Sequence, residues 1–393
     1  MSDHIVIVSA ARTPMGAMTG SLSSLAAHEL GSVAIKAALE RAGVNPDQVD
    51  EVIMGNVLQA GQGQAPARQA AIGAGLPSNA PCTTIHKVCG SGMKAAMLGH
   101  DLLKVGSANV VVAGGQESMS NAPYLLLKAR TGYRYGHDKV YDHMALDGLE
   151  DAYEGIAMGV LAERCAEKYA FTREEQDAFA LESLRRARAA TEDGSFKAEI
   201  APVTIKGRKG ETVVDTDEAP TRAMPDKIPS LRPAFKKDGT ITAANASSIS
   251  DGAAAMVLMR ESTAKELGAQ PLARIVAHTQ HAHEPEWFTT APVGAVQKLL
   301  DKTGWKIEDV DLFEINEAFA VVTMAAMKDL NIPHEKVNVY GGATALGHPI
   351  GASGARIVTT LIHALKQKGG KRGIATLCIG GGEAVAMAVE LVD

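Results

Sequence analysis

The sequence predicts an α/β fold made of two related halves, with a different segment inserted between them. Three observations carry this. Residues 88–117 (VCGSGMKAAMLGHDLLKVGSANVVVAGGQE) and 350–383 (IGASGARIVTTLIHALKQKGGKRGIATLCIGGGE) run through the same order of elements. Each begins with a Gly/Ser turn, enters a helix of small and aliphatic residues, and passes a polar loop. Each ends in an apolar strand closed by glycines, Gly114-Gly115 in one and Gly380-Gly381-Gly382 in the other. Upstream, VDEVIMGN (49–56) is echoed by VDLFEIN (310–316), and each follows apolar residues at helical spacing, Ser32–Ala42 and Gly294–Thr303. The offset of about 260 residues is far too long for a solenoid repeat and fits a duplicated half. Third, the composition suits this plan. The chain has 393 residues, 46% apolar, with 39 glycines and only 4% aromatics. That is enough to bury large cores, and the small residues let helices pack closely on sheets.

The apolar runs Val110-Val111-Val112-Ala113 and Ile374-Ala375-Thr376-Leu377 read as buried strands covered by helices. Residues 119–249 differ in character. They hold most of the tyrosines, a helical segment over Thr172–Thr191, and a hairpin turning at Gly207-Arg208-Lys209-Gly210. Pro220, Pro225, Pro229 and Pro233 mark extended loop. This stretch reads as an insertion that caps the site and supplies binding surface. The division expected is 1–118 with 250–270 as the first half, 119–249 as the insertion, and 271–393 as the second half.

Charge and cysteine usage exclude several classes. The net charge is −6, with acids and bases interspersed. No basic tract points to nucleic acid and no acidic tail to a disordered partner. The four cysteines, Cys82, Cys89, Cys165 and Cys378, fit neither a zinc site nor a disulfide framework. That favours a reducing compartment and a catalytic role for any special cysteine. No apolar stretch reaches membrane-spanning length, and no targeting pattern stands at the N-terminus. The expectation is a cytoplasmic protein with no membrane or nucleic-acid partner.

Four segments could carry chemistry. In Lys87-Val88-Cys89-Gly90-Ser91-Gly92-Met93, a strand-like lead-in stops at Cys89 and a helix follows. Free N–H groups at a helix start favour a thiolate, so a Cys89 pKa below about 8.5 is expected, with amides free to hold an oxyanion. A buried structural cysteine is the competing reading. His348, between Gly347 and Pro349, cannot sit in a regular helix, and its turn corresponds to that of Cys89 in the duplication. Facing helix starts would bring thiol and imidazole together, as an activated nucleophile requires. Cys378 precedes Gly380-Gly381-Gly382, where a second thiol could move a proton at carbon. Asn316 ends the strand Leu312–Ile315, where it could position a water or serve as a turn residue.

Taken together, the blocks SAARTP (9–14), GGQESMSNAPY (115–124), NASSISDGAAA (245–255), NEAFA (316–320), GHPIGASGAR (347–356) and CIGGGE (378–383) resemble the thiolase family over essentially the whole chain. The likeness is greatest to its acetoacetyl-CoA thiolases. The resemblance implies a five-layered αβαβα fold, a homotetramer built as a dimer of dimers, and ping-pong condensation of two acetyl-CoA units. It implies Cys89 as nucleophile, His348 as its base and Cys378 as the acid/base at carbon. One oxyanion hole would be His348 with a water on Asn316, the other the amides of Cys89 and Gly380. Acyl-CoA contacts would come from Ser247, Met158, Ala318, Phe319, Phe235, Leu149 and Ala244, with Arg222 and the turn Arg208-Lys209 toward the phosphates. Coenzyme A is substrate or product; no permanently bound cofactor and no metal is implied. Two departures stand out. Ala157-Met158-Gly159 lacks the family's usual histidine beside the pantetheine, and His86 replaces an asparagine. A degradative 3-ketoacyl-CoA thiolase of broader or 2-methyl-branched specificity is the alternative reading, and an inactive CoA- or lipid-binding relative a third.

Overall fold

The computed structural model describes residues 3–208 and 210–392. In chain order, the first part comprises β1 (Ile5–Arg12), β2 (Gly16–Ala17), α1 (Ala27–Ala42), β3 (Glu51–Gly55), α2 (Pro66–Gly73), β4 (Cys82–Ile85), α3 (Ser91–Val105) and β5 (Val110–Ser118). Next come β6 (Tyr124–Leu125), β7 (Tyr141–Asp142), α4 (Met158–Tyr169), α5 (Arg173–Glu192), β8 (Val203–Gly207), β9 (Gly210–Val214) and α6 (Glu218–Arg222). β10 (Ser250–Arg260) and α7 (Glu261–Leu267) follow. The chain ends with β11 (Ala273–Ala282), α8 (Ala291–Thr303), β12 (Leu312–Ile315), α9 (Ala320–Leu330), α10 (Ala343–Leu346), α11 (Ile350–Lys368), β13 (Arg372–Ile379) and β14 (Glu383–Leu391).

The duplication is visible in the pairing. β3 runs parallel to β5, β5 antiparallel to β10, and β10 antiparallel to β1. In the second half β12 runs parallel to β13, β13 antiparallel to β14, and β14 antiparallel to β11. The two sets meet where Val6 and Ile7 of β1 pair with Arg274 and Ala273 of β11, giving one ten-stranded sheet. β4 adds an extra edge strand beside β3.

Period-2 alternation sends each strand's side chains to two cores. Val110 and Val112 pack outward with Leu30, Ile35 and Leu39 of α1. Val111 and Ala113 face inward with α3 and α11, as do Val385, Met387 and Val389 of β14. Ala384, Ala386 and Ala388 face outward onto α8. Helix, first-half strands, paired central helices, second-half strands and helix therefore stack in the five layers that the resemblance implies, the two strand layers joined at the β1–β11 seam.

Several elements extend beyond their sequence patterns. α1 begins at Ala27 rather than Ser32, because Glu29 reaches back to accept from the Ala26 amide at 2.8 Å. α8 begins at Ala291, with Pro292 in its first turn, where the missing N–H costs nothing. The prolines expected in extended loop mostly lie in short helices. Pro220 sits in the first turn of α6, and Pro225 and Pro229 in a 3₁₀ turn over Pro225–Ser230. First-turn N–H groups have no intrahelical acceptor, so proline fits there at 220 and 225; Pro229 lies further inside its short turn. The hairpin at 207–210 is present, with β8 and β9 pairing from Val203–Val214 to Gly207–Gly210; Lys209 lies outside the described residues.

Candidate active site

α3 and α11 run through the central layer and cross at their first turns. A Cβ on Gly92 would stand 2.8 Å from the Ala355 amide nitrogen, and one on Gly354 2.4 Å from that of Met93. Only glycine permits this approach. It brings together the two turns that precede these helices, one holding Cys89 and the other His348.

The Cys89 turn is an elbow. Val88 takes a φ of 43°, a left-handed conformation unusual for a β-branched residue. Ser91 holds it there. Its hydroxyl accepts from the Lys87 amide at 2.8 Å and donates to the Val88 carbonyl at 2.6 Å. His86 contributes Nδ1, which accepts from the Val88 amide at 3.1 Å. That gives the unexpected His86 a structural function in the turn. Gly90 directs Cys89 toward the second half, since a Cβ there would stand 2.4 Å from Ile379 Cδ1.

The amides of Cys89 and Gly380 lie beside the Cys89 sulfur and favour its charged form. Cys378, buried at the end of β13, lies close enough to Cys89 that a charge on either thiol opposes a charge on the other. The expected low Cys89 pKa is not found. Part of the residue is open to solvent, yet it lies deep among protein atoms, and desolvation pushes the thiol up to about 12. The two amides lower it, but less than burial raises it. α3 begins at Ser91, with Gly90 as its N-cap, so Cys89 stands one residue before the helix dipole's end. Burial, reinforced by Cys89, raises the Cys378 thiol well above the usual range.

His348 is buried, and desolvation lowers its imidazole to about 3, with the nearby Arg356 guanidinium adding to this. Its amide donates to the Ser248 carbonyl at 3.0 Å. Gly347 precedes it with a φ of 106°, and a Cβ there would meet Ser250 Oγ at 2.1 Å. The ring's Nδ1 lies 2.5 Å from Ser353 Oγ, and that hydroxyl donates to the Pro349 carbonyl at 2.9 Å. The Asn316 amide nitrogen stands 3.5 Å from both ring nitrogens, and its buried Oδ1 has no protein partner. A buried, unsatisfied carbonyl of this kind suits an ordered water.

The expected CoA contacts divide into two groups. Met158 flanks Gly380, with Cε 3.6 Å from where a Cβ would stand. Met158, Phe235, Ala318, Phe319 and Cys378 share one apolar cluster, and the Phe235 and Phe319 rings meet edge to face at 5.9 Å. Ser247 donates its amide to the Ala318 carbonyl at 2.9 Å, which joins the end of the insertion to the Asn316 strand end. Leu149 packs with Cys89 in a second cluster, and Ala244 borders the central core. Arg222 is different. It is exposed, pairs with Glu218 on its own helix, and makes no contact with this constellation. Arg208 lies in the exposed hairpin turn.

Sequence reasoning missed Ser353 and Glu117, although both lie inside quoted blocks. Glu117 is fully buried and accepts from the amides of Val57, Leu58 and Gly351 and from Asn56 Nδ2. It ties the loop after β3 to the first turn of α11. Burial still lifts its carboxyl up to about 7.

This geometry has relatives. The thiolase N-terminal domain model matches residues 5–262, and the thiolase C-terminal domain model residues 269–391. The chain belongs to the thiolase family. Among curated thiolase relatives, an acetyl-CoA acetyltransferase 2 of Arabidopsis thaliana is 54% identical over 391 residues, covering 99% of this chain and 97% of that protein. An acetyl-CoA acetyltransferase of Pseudomonas aeruginosa is 52% identical, covering 98% of each. Two solved thiolase structures superpose closely, each at 45% identity. A thiolase of Ascaris suum in complex with coenzyme A gives a TM-score of 0.94 over 99% of this chain and 100% of that one. The acetyl-CoA acetyltransferase of Bacillus anthracis gives 0.97 over 99% of both.

Proposed function

We propose that this thiolase is an acetyl-CoA C-acetyltransferase, which reversibly condenses two acetyl-CoA molecules to acetoacetyl-CoA and free CoA through an acyl-Cys89 intermediate. The observation that carries this reading is the closeness of a second, buried thiol, Cys378, to Cys89, with the amides of Cys89 and Gly380 beside the nucleophile's sulfur. A hydrolase needs one nucleophile; a second thiol with a high pKa suits removal of a proton from carbon.

The steps follow from the groups present. The Ser353 hydroxyl has one proton and gives it to the Pro349 carbonyl, so His348 Nδ1–H donates to Ser353 Oγ. That leaves Nε2 with a free lone pair. His348 takes the thiol proton as Cys89 attacks the thioester carbon, and the oxyanion is held by preorganised N–H donors. The carbon–sulfur bond to CoA breaks, and the departing CoA sulfur takes the Cys378 proton. The Cys378 thiolate then removes a proton from the methyl of a second acetyl-CoA. The carbanion attacks the acyl carbon, and the Cys89 sulfur leaves with the proton held on His348. Each thiol ends as it began. The high pKa of Cys378 makes its thiolate a strong base, which a weak carbon acid needs.

Residues 119–249 act in this reading as an inserted loop domain between the halves 1–118 with 250–270 and 271–393. Leu149, Met158, Phe235, Ala244 and Ser247 from the insertion, with Ala318 and Phe319 of the second half, line the pantetheine path. Arg222 and Arg208 are the candidates to meet the nucleotide phosphates. The family resemblance supports a cytoplasmic homotetramer, and no described helix is long and apolar enough to cross a membrane.

The test is CoA-dependent cleavage of acetoacetyl-CoA, 2-methylacetoacetyl-CoA and a medium-chain 3-ketoacyl-CoA, beside Cys89→Ala. Acetoacetyl-CoA should be cleaved fastest, and the variant should lose at least about 10⁴-fold in rate. Faster turnover of a longer or branched substrate would replace acetoacetyl-CoA as the substrate. Full activity in Cys89→Ala would remove the nucleophile from the scheme.

A further inference from the structure

Outside the active site, three polar side chains converge at the boundary of the two halves. His100 and Asp101 are neighbours in α3, and His278 lies on β11, 177 residues from Asp101. His278 Nε2 is 2.9 Å from Asp101 Oδ1 and 3.2 Å from His100 Nδ1, and those last two atoms are 3.0 Å apart. The imidazole rings stand at 87° to each other.

These three distances are close to those between adjacent ligands on one small metal ion. Bonds of about 2.0–2.1 Å place neighbouring donors roughly 2.9–3.3 Å apart in octahedral or tetrahedral geometry. Hydrogen bonding alone accounts for only two sides of the triangle. Asp101 can accept from both rings, which leaves two imidazole nitrogens 3.2 Å apart with no attraction between them. A cation on the open face accounts for all three sides.

We propose that His100, Asp101 and His278 bind one divalent transition-metal ion of the zinc class. Two imidazoles and one carboxylate favour such ions over magnesium or calcium, which prefer all-oxygen shells. The imidazoles are largely buried, with 13% and 12% of their side-chain surface exposed, while Asp101 is 56% exposed. Water can thus fill the remaining positions. Lys104 and Lys302 are the nearby opposing charges; both are exposed, and the Lys302 ammonium donates to the His278 carbonyl at 3.3 Å. The ion would clamp α3, the helix that follows Cys89, to the first strand of the second half. It takes no part in the acyl-transfer chemistry.

The experiment uses the full chain, stripped with a chelator. Zn²⁺ is titrated by calorimetry, Co²⁺ by absorption, and Tm is read with and without Zn²⁺. The expected result is one equivalent bound per chain, a raised Tm, and cobalt d–d bands with no thiolate-to-cobalt charge transfer. His278→Ala should weaken binding by about 100-fold or more, because even outer partners of metal ligands contribute 10- to 100-fold. Asp101→Asn, at an exposed position that puts the fold at little risk, should also weaken it, with thiolytic activity retained in both variants. No saturable binding, equal affinity in the variants, or a thiolate charge-transfer band placing the ion on Cys89 and Cys378 would each overturn the proposal.

Discussion

The turn before α3 and the turn before α11 occupy equivalent places in the two halves, and each presents a reactive group two residues ahead of its helix. The first puts left-handed backbone on Val88, immediately before Cys89. The second puts it on Gly347, immediately before His348. Each turn has a serine a few residues on, but the serines serve different ends. Ser91 bonds only backbone, the Lys87 amide and the Val88 carbonyl. Ser353 bonds the Pro349 carbonyl and the imidazole itself. The nucleophile needs its main chain held, because its own amide faces the sulfur. The base needs its ring held, because the tautomer decides whether Nε2 can accept a proton.

The strongest way to break this comparison concerns the resting proton. If burial dominates both turns, Cys89 is a neutral thiol and His348 a neutral imidazole before substrate arrives. Alkylation of Cys89 by iodoacetamide, followed by mass spectrometry, should then speed up about tenfold per pH unit from pH 6 to pH 9, with no plateau. The direction follows from the thiol pKa lying near 12, above the whole window. A plateau near pH 7 would mean that a resting thiolate–imidazolium pair exists, and the proton transfer would no longer be coupled to attack.

Ser353→Ala probes the second turn alone. Without the hydroxyl, Nδ1 loses its acceptor, and the ring is free to adopt either tautomer or to turn. The expected loss is about 10- to 100-fold in kcat with KM little changed, partly restored in Ser353→Thr. A purely structural serine would lower Tm and leave the kcat of the folded fraction intact.

What could be read from the sequence was local. The glycines and proline around Cys89 and His348, and the serines that follow, mark turns entering helices, and the echo between halves put the two turns in register. Three things were not readable because they depend on tertiary packing. The Cys89 pKa moves up because the elbow is buried between layers, an effect larger than that of the amides beside it. Glu117 looks like one more polar residue in a block, yet it accepts from Val57, Leu58, Gly351 and Asn56 across two segments far apart in the chain. His100, Asp101 and His278 are a third case, since nothing in the spacing of residues 101 and 278 brings them within 2.9 Å.

The smallest effect tests what left-handed backbone costs at each turn. Gly347 has a φ of 106° and a ψ of 167°, a region essentially reserved for glycine, and Ser250 Oγ fills the space of a Cβ. Gly347→Ala should therefore lose at least about 2 kcal/mol of stability, more than the 0.4–1 kcal/mol that a compatible Gly→Ala change gains through the unfolded chain. Val88→Gly runs the other way. It relieves about 1–2 kcal/mol of left-handed strain, adds about 0.5–1 kcal/mol of unfolded-state entropy and gives up the packing of a part-buried valine on the central core, so stability should change by no more than about 1 kcal/mol. Denaturant midpoints measure both. The informative quantity is activity. A Val88→Gly enzyme of near-unchanged stability with lower kcat would show that the strain at 88 holds the Cys89 sulfur beside the amides of Cys89 and Gly380. An unchanged kcat would show that Ser91 and His86 hold the elbow by themselves, and that valine at 88 is tolerated there without being used.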